Sequence, residues 1–260
     1  METSPILDNK DADAPSIFAP AALLREARRQ KGMAAGNVPS LCILDPDGDI
    51  VRRLTASGEA KRSDVWPCYH TELHEFALAG ARAGIIGCAV GAPFAVLVAE
   101  ELFACGCRTL ISLTSAGQID PISPPPYFVV IDRALRDEGT SYHYAAPAVF
   151  AEADPALVAI ARDALTGQDL HAHVGASWTT DAPFRETEQA VAAARAKGVL
   201  AVEMEAAALY AFARRHGNRV LCLAHVTNTM GLADQDFEKG EAKGTADALL
   251  ILETLARALA

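Results

Sequence analysis

Short apolar runs alternate with longer amphipathic stretches along most of the chain. The apolar runs are bounded by Gly, Pro or polar residues, which predicts buried strands at 41–44, 84–90, 109–113, 128–131, 199–202 and 220–226. The amphipathic stretches predict helices at 20–30, 94–104, 155–165 and 188–197, a helix that ends at 216, and a closing helix at 241–259. Strands that alternate with helices in this way predict an α/β fold.

The N-terminal part of the chain has a different pattern. Residues 1–16 are acidic and polar, which predicts a loose tail ahead of the helix at 20–30. No internal repeat and no low-complexity linker follows. The sequence therefore predicts an N-terminal tail and helix over residues 1–39 and a single domain over residues 40–260.

Composition and charge narrow the class of protein. The 260 residues are 51% hydrophobic and only 6% aromatic, a mix that is typical of parallel or mixed sheets covered by helices. The net charge of −10 argues against a nucleic-acid partner, because binding a phosphate backbone requires a basic face. A small phosphate ligand remains compatible with this charge, since it needs only a local cluster of donors.

Cysteines and targeting signals indicate the compartment. The six cysteines form no CxxC pair and several lie in apolar runs, which indicates free thiols in a reducing compartment. No signal-peptide pattern and no apolar span of about 18 residues is present, so we expect no membrane segment and a cytoplasmic protein. We also predict no metal site, because His171 and His173 have no evident third ligand nearby and Cys105 and Cys107 are too closely spaced.

Two carboxylates flank a methionine where the apolar run at 199–202 gives way to an Ala-rich helix. This helix has a strong stop signal, since basic residues precede Gly217. Glu203 and Glu205 would point to the same side if the chain were still extended, and would diverge if the helix had begun. Carboxylates accept hydrogen bonds from vicinal hydroxyls, and Met204 could fill an apolar gap against a sugar ring. The alternative is that both acidic residues complement a helix N-terminus.

Two other stretches could hold an anion. Gly48 follows the first apolar run and Arg52 lies early in the next helix, so turn amides and a guanidinium could converge on a phosphate. The small residues at 114–118 predict a loop at a strand end, where the hydroxyl of Ser115 could bind phosphate oxygens. An ordinary turn explains the first stretch equally well.

Candidates for recognising a flat heterocycle lie further along the chain. Phe184 and Arg185 could stack on a ring and donate hydrogen bonds to it, although an N-capping loop is an equally good explanation of this stretch. Polar residues that include Asn228 follow the strand predicted at 220–226.

At residues 201–208 the sequence resembles the nucleoside phosphorylase and nucleosidase superfamily, in the branch that holds uridine phosphorylase and hexameric purine nucleoside phosphorylase. The resemblance covers about residues 40 to 260: Gly48-Asp49 with Arg52 is similar to the family's phosphate-binding turn, and Ser115-x-Gly117 to its second phosphate loop. It implies a three-layer α/β/α fold around a mixed, partly barrel-like sheet, and a homo-oligomer between a dimer and a hexamer. It also implies cleavage of a nucleoside's N-glycosidic bond by phosphate or water, with no cofactor beyond inorganic phosphate as co-substrate.

The resemblance assigns roles to the candidate residues. Glu205 would bind the ribose hydroxyls and act in catalysis, Glu203 would support it, and Met204 would lie under the sugar. The chemistry of cleavage, rather than the resemblance, makes Arg185 and Asn228 candidates for donating hydrogen bonds to the leaving base, because the base carries developing negative charge.

Departures from the family's pattern shape the expected substrate and nucleophile. Ser112 stands where phosphorylases of this family carry an Arg, so one phosphate-binding cation is missing unless Arg62, Arg136 or a neighbouring subunit supplies it. Asn228 stands where purine-cleaving members carry an Asp. We therefore expect a phosphorylase of uridine-like nucleosides that yields ribose 1-phosphate and free base. The alternatives are a nucleosidase that uses water, and a nucleoside-binding protein without turnover.

Overall fold

The computed structural model describes residues 4–166, 172–229 and 244–259. Over these residues ten strands form, namely β1 Leu41–Asp45, β2 Lys61–Arg62, β3 His74–Leu78, β4 Ala81–Gly87, β5 Thr109–Gln118, β6 Tyr127–Asp137, β7 Phe150–Glu152, β8 Ala172–Thr180, β9 Val199–Glu203 and β10 Arg219–Thr229. The α-helices are α1 Pro20–Lys31, α2 Asp49–Ala56, α3 Ala92–Ala104, α4 Pro155–Thr166, α5 Glu188–Arg195, α6 Ala206–His216 and α7 Thr245–Leu259. Short 3₁₀ helices lie at Thr140–His143 and Pro183–Arg185.

All ten strands belong to one mixed sheet. Its order is β10-β6-β8-β9-β5-β1-β4-β3-β2, and β7 pairs with β6 off this path. Because β10 also pairs with β5 in parallel, the five strands β10, β6, β8, β9 and β5 close on themselves. This closure confirms the expected mixed, partly barrel-like sheet.

Helices cover both faces of the sheet. One apolar cluster joins the sheet to α1, α3 and α6, and a second joins it to α2, α4 and α7. Neighbouring residues of β5 serve different clusters, since Leu110 packs in the first and Ile111 in the second. A strand that is buried on both faces gives an unbroken apolar run, which explains the pattern that predicted these strands. The three-layer α/β/α prediction is confirmed.

The strands around the closure are longer than their apolar runs. We predicted a loop at 114–118, and this prediction was wrong, because β5 continues to Gln118. Residues 114–118 pair with β10 on one side, and Gly117 and Gln118 pair with β9 on the other. Pairing of the backbone groups with both strands replaces the solvation that a loop would need.

Gly217 ends α6 as predicted, and it adopts a left-handed conformation with a φ of 67°. Among the helices that the structure describes, none is both long and apolar enough to cross a membrane. The division between residues 1–39 and 40–260 stays a prediction. Two further predictions lie outside the described residues: the helix start at 241, and His171 of the histidine pair.

Candidate active site

The Glu-Met-Glu segment, which consists of Glu203, Met204 and Glu205, lies at the junction between β9 and α6. β9 ends at Glu203 and α6 begins one residue after Glu205. Both carboxylates are buried, with 3% and 1% exposure, whereas Met204 is half-buried. Burying two carboxylates this completely is costly unless each has partners, so their hydrogen bonds define what each one does.

Glu203 is held by four donors. Its Oε1 accepts hydrogen bonds from the hydroxyls of Ser177 (2.9 Å) and Thr179 (2.5 Å) on β8. Its Oε2 accepts from the backbone N–H groups of Glu205 and Ala206, both at 2.7 Å. Glu203 therefore caps the start of α6, which is the alternative interpretation of this segment, and it fixes the turn that positions Glu205.

Glu205 is only partly satisfied. Its Oε1 accepts a hydrogen bond of 2.7 Å from the N–H of Gly91, the residue that precedes α3. Its Oε2 is buried and has no hydrogen-bond partner among the described residues. Buried polar atoms rarely lack a partner, so Oε2 is the atom of this segment best suited to a ligand hydroxyl.

Burial raises the pKa of both carboxyl groups. Burial and the charge of Glu203 raise the pKa of Glu205 to about 8. Burial also raises the pKa of Glu203, but its hydrogen bonds from Thr179, Ala206, Glu205 and Ser177 oppose that shift. Because the charge of Glu203 adds to the effect of burial at Glu205, we expect Glu205 to be the member of the pair that keeps a proton at neutral pH.

This pKa shift predicts a pH-dependent stability. Glu205 has an ordinary value of 4.5 and a folded-state value of about 8, so the native state keeps a proton that the unfolded state loses between these values. The free energy of unfolding should therefore fall as the pH rises through this range. We expect the wild type to lose about 1–5 kcal/mol more than Glu205→Gln between about pH 5 and about pH 9. Urea titrations of both proteins over this range measure the difference.

Glu188→Gln is the matched control for this measurement. Glu188 is an exposed carboxylate in the first turn of α5, so its replacement should leave the pH dependence of the wild type unchanged. Parallel curves for the wild type and Glu205→Gln would contradict the assigned protonation.

Strand register brings the second predicted phosphate element beside this segment. Gly117 of β5 pairs with Val202 of β9 and with Asn228 of β10. Asn228 is half-buried, and it lies across β5 from the end of β9. The closure of the sheet thus gathers residues from the strands β5, β9 and β10, which are distant in sequence.

The turn between β1 and α2 holds the other predicted phosphate residues. Gly48 has a φ of 73°, and its N–H donates to the backbone oxygen (2.8 Å) and Oδ1 (3.1 Å) of Asp45. The guanidinium of Arg52 donates to the backbone oxygen of Asp47 (2.7 Å) and to Oδ1 of Asp49 (2.8 Å). The cation and the turn amide predicted to bind phosphate are therefore engaged with groups of the turn itself.

Ser115 is linked to the same turn by a residue that the sequence analysis did not single out. The carboxylate of Asp47 accepts hydrogen bonds from the backbone N–H of Ser115 (2.9 Å) and from its hydroxyl (2.8 Å). The structure thus brings the three predicted phosphate residues together, with Asp47 among them. A local signal existed, because Asp45, Asp47 and Asp49 alternate along the turn.

Two of the three predicted base-binding residues, Phe184 and Arg185, are at the surface. Phe184 and Arg185 lie in the short 3₁₀ helix after β8, and the side chain of Phe184 is 99% exposed. Arg185 is also exposed. The structure does not pack either side chain against the Glu-Met-Glu segment, so their role as base contacts stays a prediction.

Two cavities lie away from this segment. The first has a volume of about 710 Å³ and the second of about 760 Å³, and both border residues 7–23. Neither cavity is lined by the Glu-Met-Glu segment. In the first, the guanidinium of Arg136 already donates to Ser141, Ala145 and Ala146. The Oε2 of Glu205, unpartnered among the residues described, is the observation that favours the Glu-Met-Glu segment as the candidate site.

Comparison with known proteins identifies the family. The sequence model of the phosphorylase superfamily matches residues 40–257. The chain belongs to the phosphorylase superfamily. This confirms the family resemblance that residues 201–208 carry, and the phosphate-binding roles stay predictions.

Relatives in the phosphorylase superfamily act on different bases. Uridine phosphorylase of Thermococcus kodakarensis is 27% identical over 79% of this chain and 83% of that protein. Guanosine phosphorylase of Halorubrum lacusprofundi is 32% identical over 56% of this chain and 61% of that protein, so the chain matches about three fifths of its length. The crystal structure of uridine phosphorylase from Vibrio fischeri has a TM-score of 0.71, with 25% identity over 85% of this chain and 93% of that one. The chain is therefore of the purine and uridine nucleoside phosphorylase type, which leaves the base open.

Proposed function

We propose that this protein cleaves the N-glycosidic bond of a nucleoside whose ribose is bound at Glu205. The carrying observation is the buried Oε2 of Glu205, which has no partner among the residues described. A ribose hydroxyl is a donor of the right kind for this atom. Cleavage builds positive charge on the anomeric carbon, and an ionised carboxylate beside the sugar stabilises that charge in the transition state.

A uridine-like nucleoside is the proposed substrate. Asn228 lies across β5 from the end of β9, at a position where purine-cleaving relatives are expected to carry an Asp. A side-chain amide donates a hydrogen bond but cannot transfer a proton to a departing purine. A pyrimidine base that leaves without protonation at this position suits an amide better.

Two nucleophiles are candidates. The names of the relatives support phosphate, which would give ribose 1-phosphate and free base without a further cofactor. Water is favoured by two observations: Ser112 has a buried hydroxyl and no positive charge where an Arg was expected, and the donors of Ser115 are taken by Asp47. A homo-oligomer between dimer and hexamer, and a cytoplasmic location, stay predictions.

A panel of nucleosides, each assayed with and without phosphate, tests the proposed function. We expect release of uracil from uridine at least about tenfold faster than release of base from inosine or guanosine. Asn228→Asp should narrow this preference by restoring a proton donor for purines. The free base is quantified by chromatography, and the sugar product is identified as ribose or ribose 1-phosphate.

Asn9→Asp, the same substitution at an exposed residue of the N-terminal segment, is the control and should keep the preference for uridine. If nucleosides raise the melting temperature of the protein but no product forms, the protein binds nucleosides without cleaving them and the proposed function is refuted.

A further inference from the structure

Asp47 accepts the hydrogen bonds that the sequence assigns to a phosphate. One carboxylate oxygen takes the backbone N–H of Ser115 and the other takes its hydroxyl, at 2.9 and 2.8 Å. A backbone amide and a hydroxyl that converge on two oxygens of one anion form the usual geometry for a phosphate. Here an acidic side chain of the same chain holds that position.

The other predicted phosphate donors of the turn also form hydrogen bonds with carboxylates of the same turn. The N–H of Gly48 donates to Asp45, and the guanidinium of Arg52 is paired with Asp49. Three carboxylates thus lie within five residues, at Asp45, Asp47 and Asp49, and Arg52 is more than half exposed to solvent. A phosphate dianion placed at Ser115 would have to displace the carboxylate of Asp47 and would then lie near it, which like-charge repulsion opposes.

Ser112 brings no positive charge to this position, where an Arg was expected. Ser112 lies three residues before Ser115 in β5. Its buried hydroxyl has no hydrogen-bond partner among the described residues. A neutral hydroxyl cannot supply the charge that a phosphate dianion requires in a partly buried site.

We propose that Asp47 is a built-in anion that fills the phosphate subsite, so that the protein excludes phosphate and uses water as the nucleophile. This inference rests on the proposed cleavage of a nucleoside. In the reaction, the oxygen of water bonds to the anomeric carbon, and the bond to the base breaks with its electron pair going to the base. The proton that the water loses is balanced by the proton that the base takes up, so the products are ribose and free base.

Replacing Asp47 tests the inference through phosphate binding. Calorimetric titration with inorganic phosphate should detect no binding to the wild type. In Asp47→Ala, whose Ser115 donors are released, affinity for phosphate should rise at least about tenfold. Titration with chloride at matched ionic strength corrects for general screening. Adding Ser115→Ala to Asp47→Ala should remove most of the gain, because the hydroxyl donor is lost.

Asp163→Ala is the matched control, since Asp163 is an exposed carboxylate of α4 and its loss should leave phosphate binding unchanged. Asp47→Asn, which removes the charge and keeps the size, serves as a second variant if the alanine protein is poorly folded. Absence of phosphate binding in both folded Asp47 variants would overturn the inference.

Sugar analysis provides the second readout. The wild type should release ribose at a rate that phosphate does not change, and Asp47→Ala should form ribose 1-phosphate when phosphate is added. If the wild type forms ribose 1-phosphate and Asp47→Ala forms less of it, the inference is overturned. The proposed cleavage of a nucleoside would still stand. Failure of every nucleoside to react would refute the proposed function alone, because the phosphate titrations still decide the role of Asp47.

Discussion

Replacing Glu205 by glutamine is expected to lower kcat/KM for nucleoside cleavage by about 10²–10³-fold. Glutamine keeps the size of the side chain and its hydrogen bond from Gly91, but it cannot carry the negative charge that stabilises the anomeric carbon in the transition state. Steady-state release of uracil from uridine measures the loss. The effect should fall mainly on kcat, because the charge matters more in the transition state than in the bound substrate.

The wild type should show a matching pH profile. Burial and the charge of Glu203 raise the pKa of Glu205 to about 8, so the ionised form becomes abundant only as the pH rises through this value. The kcat/KM of the wild type should therefore increase towards alkaline pH, and Glu205→Gln should lack this rise. Glu253→Gln, on the partly exposed face of α7, is the control and should keep both the rate and the profile. Full turnover by Glu205→Gln would remove Glu205 from the mechanism.

Local patterns were enough to predict the layers of the fold. Strands covered by helices on both faces have continuous apolar runs, as residues 109–113 do, and such runs are visible in the sequence without any partner. The extension of β5 through residues 114–118 was missed for a physical reason. Its small and polar residues have no strand pattern, and they are held extended by pairing with β9 and β10, which lie far away in sequence.

The candidate site also depends on contacts between residues that are far apart in the sequence. The sequence located the Glu-Met-Glu segment but could not separate two identical side chains, whereas their partners give Glu203 a capping role and leave one oxygen of Glu205 unpaired. Asp47 was missed because its partner Ser115 lies 68 residues further along the chain. Contacts of this kind depend on how β1 and β5 are aligned, which a single sequence does not reveal.

Replacing Glu203 by alanine is expected to lower the free energy of unfolding by about 3–5 kcal/mol. Four donors, two hydroxyls of β8 and two backbone N–H groups at the start of α6, would lose their acceptor in a buried site. Urea unfolding followed by circular dichroism measures the loss. Removing the negative charge of Glu203 should also lower the pKa of Glu205, because that charge contributes to raising it.

Glu188→Ala is the control that separates the buried hydrogen bonds of Glu203 from the general effect of a carboxylate at a helix N-terminus. Glu188 also lies at a helix N-terminus, but it is exposed, so its replacement should cost less than about 1 kcal/mol. Equal losses in the two variants would mean that Glu203 contributes only to the helix dipole. We expect a large loss of stability in Glu203→Ala alone. We also expect the alkaline rise in kcat/KM to occur at lower pH in Glu203→Ala than in the wild type. Together these results would show that Glu203 stabilises the junction and raises the pKa of Glu205. The stability of β9–α6 and the reactivity of Glu205 would then depend on the same four hydrogen bonds.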